Sequence, residues 1–349
     1  MSKYINILLI FAPVAILGQF LGWSPTIAFG SAALAVIPLA GIMGRATEEL
    51  AVHTGPRLSG FLNATLGNAA ELIITIFAIK EGLLELAKAS IVGSILGNLL
   101  LVLGLSVLMG GIRHGAQKFD RTQASVNATM LILAIIALGV PTLFSHTIDE
   151  VNHAGVEYLS LGTAAVMILI YILSVLFSFQ LGGEPEQAHE LHAETSWSVR
   201  KAVLFLIVST GFIVWMSEIL VGSVEHTVRA LGLSEFFVGI IIVPLIGNVA
   251  EHLVAVQAAL KNRMELSMSI SLGSSLQIAL FVAPVLVFLS LLIGNPLTLE
   301  FNQFELIALV GAALIAASAA RDGESNWLEG AMLLVVYVIL GMAFFFLPM

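Results

Sequence analysis

The 349-residue sequence contains no cysteine, and only 11% of its residues are charged. The absence of cysteine excludes disulfides, thiolate metal sites and cysteine nucleophiles. The low charge content, together with 58% hydrophobic residues and a mean hydropathy of +1.02, excludes a soluble globular domain. The net charge of −9, with no basic cluster between aromatic residues, excludes the usual signature of nucleic-acid binding. The composition therefore predicts an all-α polytopic membrane protein whose surroundings are the lipid bilayer.

Long apolar runs divide the chain into eleven predicted transmembrane helices, since a span needs about 20 mostly apolar residues. Turn and charge signals separate the runs. The first run, from about Ile5 to Trp23, also has the length of a signal peptide, but the distribution of charge favours a retained span. The predicted spans are approximately 4–22, 26–50, 60–79, 89–110, 124–143, 157–179, 199–222, 236–260, 266–292, 304–320 and 327–347.

The basic residues test this count through the positive-inside rule. If the spans alternate from the N-terminus, 11 of the 14 lysines and arginines fall on the side of the N-terminus. Only Lys80, Lys88 and Arg229 fall on the other side. The sequence therefore predicts a cytoplasmic N-terminus and an external C-terminus.

Two short motifs each occur twice at a single spacing. Residues 67–71 read GNAAE and residues 247–251 read GNVAE, an offset of 180 residues. At the same offset, the GSIL of residues 93–96 returns as the GSSL of residues 273–276. Two matched blocks at one offset are hard to obtain by chance, so we interpret them as an internal repeat.

The repeat predicts the division of the chain. Glu71 and Glu251 lie five predicted spans apart, an odd number, so the two copies run in opposite directions across the membrane. We predict one extra N-terminal helix, residues 1–23, followed by two five-helix repeats of inverted topology, residues 24–180 and 198–349. Inverted repeats are typical of secondary transporters, whose sites lie between the repeats near the middle of the membrane.

Residues 181–197 form the longest polar stretch and are predicted to be an acidic cytoplasmic linker between the repeats. Glu186, Glu190 and Glu194 recur every four residues, which would form one acidic face of a helix. The stretch is interpreted either as a solvated linker or as a weak regulatory sensor of cations or protons.

The repeated motifs place a carboxylate inside an apolar segment, which costs about 2.5–3.5 kcal/mol on insertion scales and indicates function. At helical spacing Asn68 and Glu71 share one face, as do Asn248 and Glu251. Gly67 and Gly247 weaken each helix at this depth and favour free backbone carbonyls lining a cavity. Pro244 strengthens this expectation in the second copy, because its ring removes a helix hydrogen bond.

This combination of groups predicts a site for a hard cation or for protons. Carboxylate, amide and carbonyl oxygens suit Ca²⁺, and two carboxylates match its charge. Without the ion, two neighbouring carboxylates in a low-dielectric site cannot both remain ionised at low cost, which favours proton uptake. A site that holds either a divalent cation or protons has the chemistry of an antiporter. The alternative is that Glu71 and Glu251 only form hydrogen bonds between packed helices.

A second set of polar residues is assigned to supporting or pathway roles, with helix packing or helix-end solvation as the alternative for each. Ser94 and Ser274 also suit close helix packing, whereas a site role is favoured for Asn98 and Gln277. His252 projects about 100° away from Glu251 on a helix, which favours packing over a role in proton affinity. The set is Ser94, Asn98, Ser274, Gln277, Glu48, Glu49, Glu218 and His252.

Five segments resemble the Ca²⁺/H⁺ exchanger (CAX) family of the calcium/cation antiporter superfamily. With the eleven-span layout, the resemblance covers nearly the whole chain. One departure is Gly97, where many members have serine. The segments are ATEEL at 46–50, LNATLGNAAELI at 62–73, GSILGNLLLVLG at 93–104, PLIGNVAEH at 244–252 and GSSLQIALF at 273–281.

The resemblance implies Ca²⁺ export from the cytoplasm driven by inward proton flow, with the ion between Glu71 and Glu251. It also implies no resident cofactor, Ca²⁺ and H⁺ as the transported ions, and a prokaryotic plasma-membrane location, since the long N-terminal extension of vacuolar members is absent. Homo-oligomerisation stays open. Na⁺/Ca²⁺ exchange and a cation channel are the rival functions. An enzyme is not expected, because no H-E-x-x-H motif or nucleophile arrangement is present.

Overall fold

The computed structural model describes residues 5–54, 62, 65–149, 154–180 and 197–347. The predicted linker 181–197 lies outside these residues except for Trp197. The described chain is almost entirely helical, which confirms the predicted class of a polytopic α-helical membrane protein.

The helices follow the apolar runs of the sequence. A 3₁₀ turn at Ile5–Ile10 leads into the first helix. Before the predicted linker the helices are α1 (Phe11–Phe20), α2 (Pro25–Val52), α3 (Ala69–Lys80), α4 (Leu84–Leu96), α5 (Leu103–His114), α6 (Arg121–Asp149) and α7 (Gly155–Gln180). After it they are α8 (Val199–Gly222), α9 (Val224–Leu231), α10 (Glu235–Phe237), α11 (Val243–Leu260), α12 (Met264–Gln277), α13 (Ala283–Ile293), α14 (Gln303–Ala319) and α15 (Trp327–Phe346).

Eight helical segments of the described chain are long and apolar enough to cross a membrane. Two further predicted spans correspond to the shorter apolar helices Ile5–Phe20 and Gln303–Ala319. The predicted span 60–79 corresponds in part to the 12-residue α3. The count of eleven therefore stays a prediction.

Two short strands that the sequence did not predict pair outside the helices. β1 (Gln117–Lys118) pairs antiparallel with β2 (Glu324–Ser325), with Gln117 opposite Ser325. The ladder joins the turn after α5 to the turn before α15. Each strand is only two residues long, which is too short for the period-2 pattern that announces a strand in a sequence.

Two long helices contain a π-helical stretch at equivalent positions of the repeat. Gly97–Val102 separates α4 from α5, and Ile278–Val282 separates α12 from α13. Adding the 180-residue offset to 97–102 gives 277–282, so the second stretch lies at the corresponding place. π-helical stretches widen a helix locally and occur frequently at functional sites. A third stretch, Val238–Ile242, precedes α11.

Glycine permits a close helix crossing between α4 and the π-helical stretch that leads into α11. A Cβ at Gly93 would overlap the carbonyl group of Ile240 and lie 2.7 Å from Cγ of Pro244. A Cβ at Gly239 would lie 2.9 Å from Cβ of Ala89. Small residues at such crossings are how membrane helices come into close contact. The crossing brings the second sequence block of the first half against the first block of the second half.

Two glutamates, Glu305 and Glu329, take part in helix caps. Glu305 is buried, and its carboxylate accepts a hydrogen bond from the backbone N–H of Asn302 in a capping box at the start of α14. Glu329 makes the same arrangement with Asn326 at the start of α15. These contacts satisfy orphan N–H groups of the first turn, so neither glutamate needs a transport role to explain its place.

We expect Gly93→Ala to lower the midpoint of thermal unfolding of the purified protein in detergent. The added methyl group has no room beside Ile240 and Pro244, and overpacking of this kind typically costs about 1–3 kcal/mol. The matched control is Gly97→Ala, one turn further along, where a Cβ meets no atom within 4 Å among the described residues. The control should leave the midpoint unchanged or raise it, because alanine favours a helix by about 1 kcal/mol over glycine. An equal loss in both variants would contradict the close crossing.

Candidate cation site

The first motif lies at a break in the helix rather than on a continuous helical face. Gly67 and Asn68 form a turn, and α3 begins at Ala69 with Asn68 as its N-cap. The expectation that Asn68 and Glu71 share one helix face is therefore wrong, because Asn68 lies outside the helix. Glu71 occupies the first turn and is buried. The positive end of the helix dipole at this turn stabilises a carboxylate there.

The second motif is built differently, because α11 is continuous through Gly247, Asn248 and Glu251. Its irregular stretch lies upstream at Val238–Ile242, directly before the helix that Pro244 opens. Proline fits the first turn of a helix, where its missing N–H is not needed. The predicted weakening at Gly247 is therefore not found within the helix. Two copies of one motif thus have two local backbone structures.

Gly247 instead provides space for the carboxylate of the other copy. Oε1 of Glu71 lies 2.7 Å from the position that a Cβ of Gly247 would occupy. Any side chain at residue 247 would therefore displace the carboxylate of Glu71. This contact explains the second motif's glycine sterically and brings the two motifs together across the repeat boundary.

A hydrogen-bonded chain links the two motifs through the second sequence block. Asn68 Nδ2 donates to Gln277 Oε1 at 2.7 Å. The hydroxyl of Ser274 lies 3.1 Å from Asn68 Oδ1 and 2.8 Å from Glu251 Oε2. The structure thus brings together Asn68, Glu251, Ser274 and Gln277, which the sequence assigned to one site.

An equivalent contact joins the second motif to the first half. Asn248 Nδ2 lies 3.3 Å from Ser94 Oγ and 3.2 Å from the carbonyl oxygen of Pro244. Asn68 of the first motif thus contacts Ser274 of the second half, and Asn248 contacts Ser94 of the first half. Both asparagine–serine pairs relate to each other by the 180-residue offset. Each motif is therefore held by the block of the opposite half.

Two buried oxygens of the motifs have no hydrogen-bond partner within the described part of the chain. They are Oε1 of Glu71 and Oδ1 of Asn248. A buried polar atom without a partner calls for an explanation, such as an ion. Both atoms are oxygens, which are the ligands that Ca²⁺ takes. Among the described residues no group of three or more His, Asp or Glu could hold a metal, so a bound cation would depend on amide and hydroxyl oxygens as well.

A cavity of about 620 Å³ leads to one side of this arrangement. Its lining includes Gly67, Gly247, Glu251, Ser274 and Gln277. It extends to Glu48 and Glu49 at the C-terminal end of α2. Glu251 is partly exposed in the cavity, whereas Glu71 is buried and is not one of the described side chains that line it. The two motif carboxylates therefore differ in access.

The pathway residues divide between the cavity mouth and other places. Glu48 and Glu49 line the cavity, and Glu49 pairs with Arg45 at 3.7 Å. Glu218 is exposed on α8 and does not line the cavity in the described structure. Its pathway role stays a prediction. Within the described residues, His252 Nε2 and Asn98 Nδ2 are buried without a partner, and neither side chain reaches the cavity.

Sequence reasoning missed the role of Trp197 at the cavity mouth. Its backbone N–H donates to Oε2 of Glu49 at 3.3 Å, and its carbonyl lies 3.1 Å from Nε2 of His53. Its ring lies between two cations, with the Arg45 guanidinium 4.9 Å and the Lys201 Nζ 4.5 Å from the centroid. These contacts join the end of α2 to the start of α8. The only sequence signal was an aromatic residue next to the Ser198 cap.

A family model described as sodium/calcium exchanger protein matches residues 24–180 and 201–346. A protein of Synechocystis sp. named Ca(2+)/H(+) antiporter is 46% identical over 99% of this chain and 98% of its own length. A protein of Aphanothece halophytica with the same name is 44% identical over 98% of this chain and 96% of its own.

A solved structure agrees with these similarities. The structure of native YfkE is 40% identical in sequence, superposes with a TM-score of 0.87, and covers 98% of this chain and 100% of its own. The family model, the two relatives and the solved structure all match this chain over nearly its full length. The chain therefore belongs to the sodium/calcium exchanger protein family and, as its motifs predict, to the Ca²⁺/H⁺ exchangers within it.

Proposed function

We propose that this chain is a secondary antiporter that exports Ca²⁺ from the cytoplasm in exchange for protons. The relatives named Ca(2+)/H(+) antiporter support this function over most of both chains. The observation that carries it is the cross-half arrangement, in which Glu71 lies against Gly247 while Ser274 contacts both Asn68 and Glu251. Two carboxylates between two halves balance the charge of one divalent cation.

We further propose that the chain has eleven spans, with two five-helix repeats of inverted topology at 24–180 and 198–349 after an N-terminal helix. The separate family matches to 24–180 and 201–346 support this division, as do the π-helical stretches at equivalent positions. With the N-terminus in the cytoplasm of a prokaryotic cell, the mouth of the cavity at Glu48 and Glu49 faces inward. In this conformation the site would exchange ions with the cytoplasm.

Ser274 couples the protonation of Glu251 to the oxygens offered to the cation. A serine hydroxyl carries one proton, so it donates either to Glu251 or to Asn68, never to both at once. When Glu251 is ionised, Ser274 donates to the carboxylate, the stronger acceptor, and Oδ1 of Asn68 is available to a cation. When Glu251 is protonated, it donates to Ser274, which turns its own proton towards Asn68. Proton binding thus withdraws two oxygens from the cation.

The transport cycle follows from this competition. On the cytoplasmic side, Ca²⁺ enters past Glu48 and Glu49 and binds the ionised motif carboxylates with the oxygens of Asn68 and Asn248. Movement of α2 and α8 relative to the motif helices then opens the other side. Protons displace the ion there, because two uncompensated carboxylates in a low-dielectric site cannot both remain ionised at low cost. Return of the protonated site completes the exchange. No enzymatic step and no resident cofactor enter this cycle.

The experiment that tests the function uses purified protein in liposomes with an imposed pH gradient. Uptake of ⁴⁵Ca²⁺ and internal pH are recorded together, with and without Na⁺. We expect Ca²⁺ and proton movements that depend on each other and need no sodium. Calcium movement that follows a sodium gradient and ignores the proton gradient would overturn proton coupling, and flux without any counter-ion would indicate a channel.

We expect Glu71→Gln and Glu251→Gln each to abolish exchange, because either change removes a charge that the divalent cation needs. Glutamine keeps the size of the side chain, so the variants should elute as folded protein. The matched control is Glu218→Gln, which makes the same chemical change on an exposed helix position outside the cavity and should retain transport. Full activity in either motif variant would remove the central role of the two carboxylates.

Ca²⁺ affinity should fall as the pH is lowered, because protons compete for the same carboxylates. The measurement is equilibrium ⁴⁵Ca²⁺ binding to purified protein between mildly acidic and alkaline pH. An affinity that is constant over this range would contradict the shared site.

Ser274→Ala should weaken Ca²⁺ binding about tenfold and make its affinity less dependent on pH. The variant removes a hydrogen bond to a charged group, worth about 1.5–3 kcal/mol when buried, and it also removes the link between Glu251 and Asn68. The control is the neighbouring Ser275→Ala, whose hydroxyl donates, among the described residues, to the carbonyl of Ser271 at 2.9 Å. Equal pH profiles for the two variants would contradict the hydroxyl link.

A further inference from the structure

Both motif helices end in the same way, at equivalent positions of the repeat. α3 ends at Lys80 and α11 at Leu260, each eight residues or more beyond its motif glutamate. A residue with positive φ follows each: Gly82 at 77° and Asn262 at 61°, again 180 residues apart. In both turns the backbone closes alike, with Leu83 N bonded to the Ala78 carbonyl and Arg263 N to the Ala258 carbonyl. The turn itself bonds one late carbonyl of each helix, with Gly82 N bonded to the Ile79 carbonyl and Asn262 N to the Ala259 carbonyl. Each of these carbonyl oxygens has a second lone pair that can accept another hydrogen bond.

A side-chain amide from the opposite half donates a second hydrogen bond to this carbonyl in both cases. Asn295, in the turn after α13, donates to the carbonyl of Ile79 at 2.8 Å and lies 3.3 Å from that of Lys80. Gln117, in the turn after α5, donates to the carbonyl of Ala259 at 3.0 Å. Ile79 and Ala259 are equivalent positions of the repeat, since 79 plus 180 is 259. We call Asn295 and Gln117 the two carboxamide clamps.

The Gln117 clamp has additional support. Its Nε2 also lies 2.9 Å from Oδ1 of Asn262, and the Gln117 side chain is buried. His114 Nε2 contacts the next carbonyl, that of Leu260, at 2.8 Å. Asn262 therefore meets two demands at once, a positive φ that asparagine tolerates better than most residues and an acceptor for the clamp. The equivalent residue in the other copy, Gly82, meets only the first.

Each clamp lies at a fixed distance from a motif carboxylate. Glu71 precedes Ile79 by eight residues, and Glu251 precedes Ala259 by eight, which is about 12 Å along a helix at 1.5 Å per residue. A hydrogen bond from a clamp to a carbonyl at the helix end therefore fixes the position of that helix along its axis, relative to the other half. Glu71 and Glu251 lie on the two clamped helices, so the separation of their carboxylates depends on both settings.

We infer that Gln117 and Asn295 are positioning residues, which hold the two motif helices at the axial setting that brings Glu71 and Glu251 to the proposed cation site. As positioning residues of the Ca²⁺/H⁺ exchange reaction, they rest on the proposed function. Neither touches the cation; each acts through the helix that it clamps.

The test replaces each clamp by an apolar residue of similar size, Gln117→Met and Asn295→Leu. The matched control is Gln123→Met, which makes the same chemical change at an exposed residue whose amide contacts only Asn127 within the described chain. Both clamp variants should raise the KM for Ca²⁺ about fivefold or more, with the maximal rate changed less, because one hydrogen bond of ordinary strength corresponds to a change of about five- to tenfold. The control should transport as the unmodified chain does.

A second pair of variants separates the clamp from the turn. Asn262→Gly keeps the positive φ and removes one acceptor of Gln117, so it should raise the KM in the same direction as Gln117→Met. Gly82→Asn makes the reverse exchange in the other copy, where no clamp contact depends on it, and should leave the KM unchanged.

A structural readout keeps this test independent of transport. The chain has no cysteine, so spin labels at Lys80→Cys and Lys261→Cys report the separation of the two helix ends by pulsed electron resonance. Both lysines are exposed. We expect a shifted or broadened distance distribution in each clamp variant and none in Gln123→Met. If the unmodified chain moves Ca²⁺ without protons, the proposed function fails. The distances between the spin labels still test whether Gln117 and Asn295 position the two helices. Unchanged distances and an unchanged KM, with only a lower unfolding temperature, would reduce both residues to ordinary helix caps and overturn the inference.

Discussion

The structure of the candidate cation site depends on the free-energy cost of burying carboxylates away from water. Each intramembrane glutamate costs a few kcal/mol to place, and neither motif contains a basic residue to offset it. The compensation comes from elsewhere: the first turn of α3 for Glu71 and the Ser274 hydroxyl for Glu251. Each of these groups belongs to the same half as its glutamate, and the two halves meet where Ser274 also contacts Asn68 and where Glu71 lies against Gly247. This constraint explains why the cross-half contacts are polar while most of the surrounding core is alanine, leucine and isoleucine.

Irregular backbone positions the groups that come into contact between the two halves. The break at Gly67 and Asn68 places Glu71 in a first turn, where backbone N–H groups are free. In the second copy the irregularity moves to Val238–Ile242, which lies against Gly93 and lets the helices cross closely. The same polar sequence is thus accommodated by two different distortions. Non-helical backbone at this depth is tolerated because protein surrounds it, not lipid.

The sequence was sufficient for the class of fold, and it assigned to one site Asn68, Glu251, Ser274 and Gln277, which are linked by hydrogen bonds. An exact 180-residue offset identified Glu71, Glu251, Ser94 and Ser274 without structural information, because a duplicated polar block within apolar helices has few explanations. It could not show that one motif breaks its helix and the other does not, since both read as glycine and asparagine. The separating features are tertiary: Gly247 makes room for Glu71, and the start of α11 packs against α4.

Other misses have equally physical causes. The contacts of Trp197 are with residues that lie almost 150 positions earlier, such as Glu49 and His53, and local patterns carry no signal of them. Glu218 was assigned to the pathway because it is an acid within an apolar helix; it is exposed and does not line the described cavity, and its pathway role stays a prediction. The two-residue strands are set by the turns that they join, not by a pattern of their own.

The unequal access of the two carboxylates gives the related halves different tasks. An ion that enters along the cavity meets Glu251 first, where water can still accompany it. To reach buried Glu71 it must shed more of its hydration shell. Ions of one charge differ in how readily they dehydrate, as Mg²⁺ and Ca²⁺ do. Discrimination between divalent ions would therefore arise mainly at Glu71, while Glu251 would govern how quickly an ion is captured. The two similar motifs would then divide ion capture and ion selectivity between them, instead of acting as two copies of one ligand.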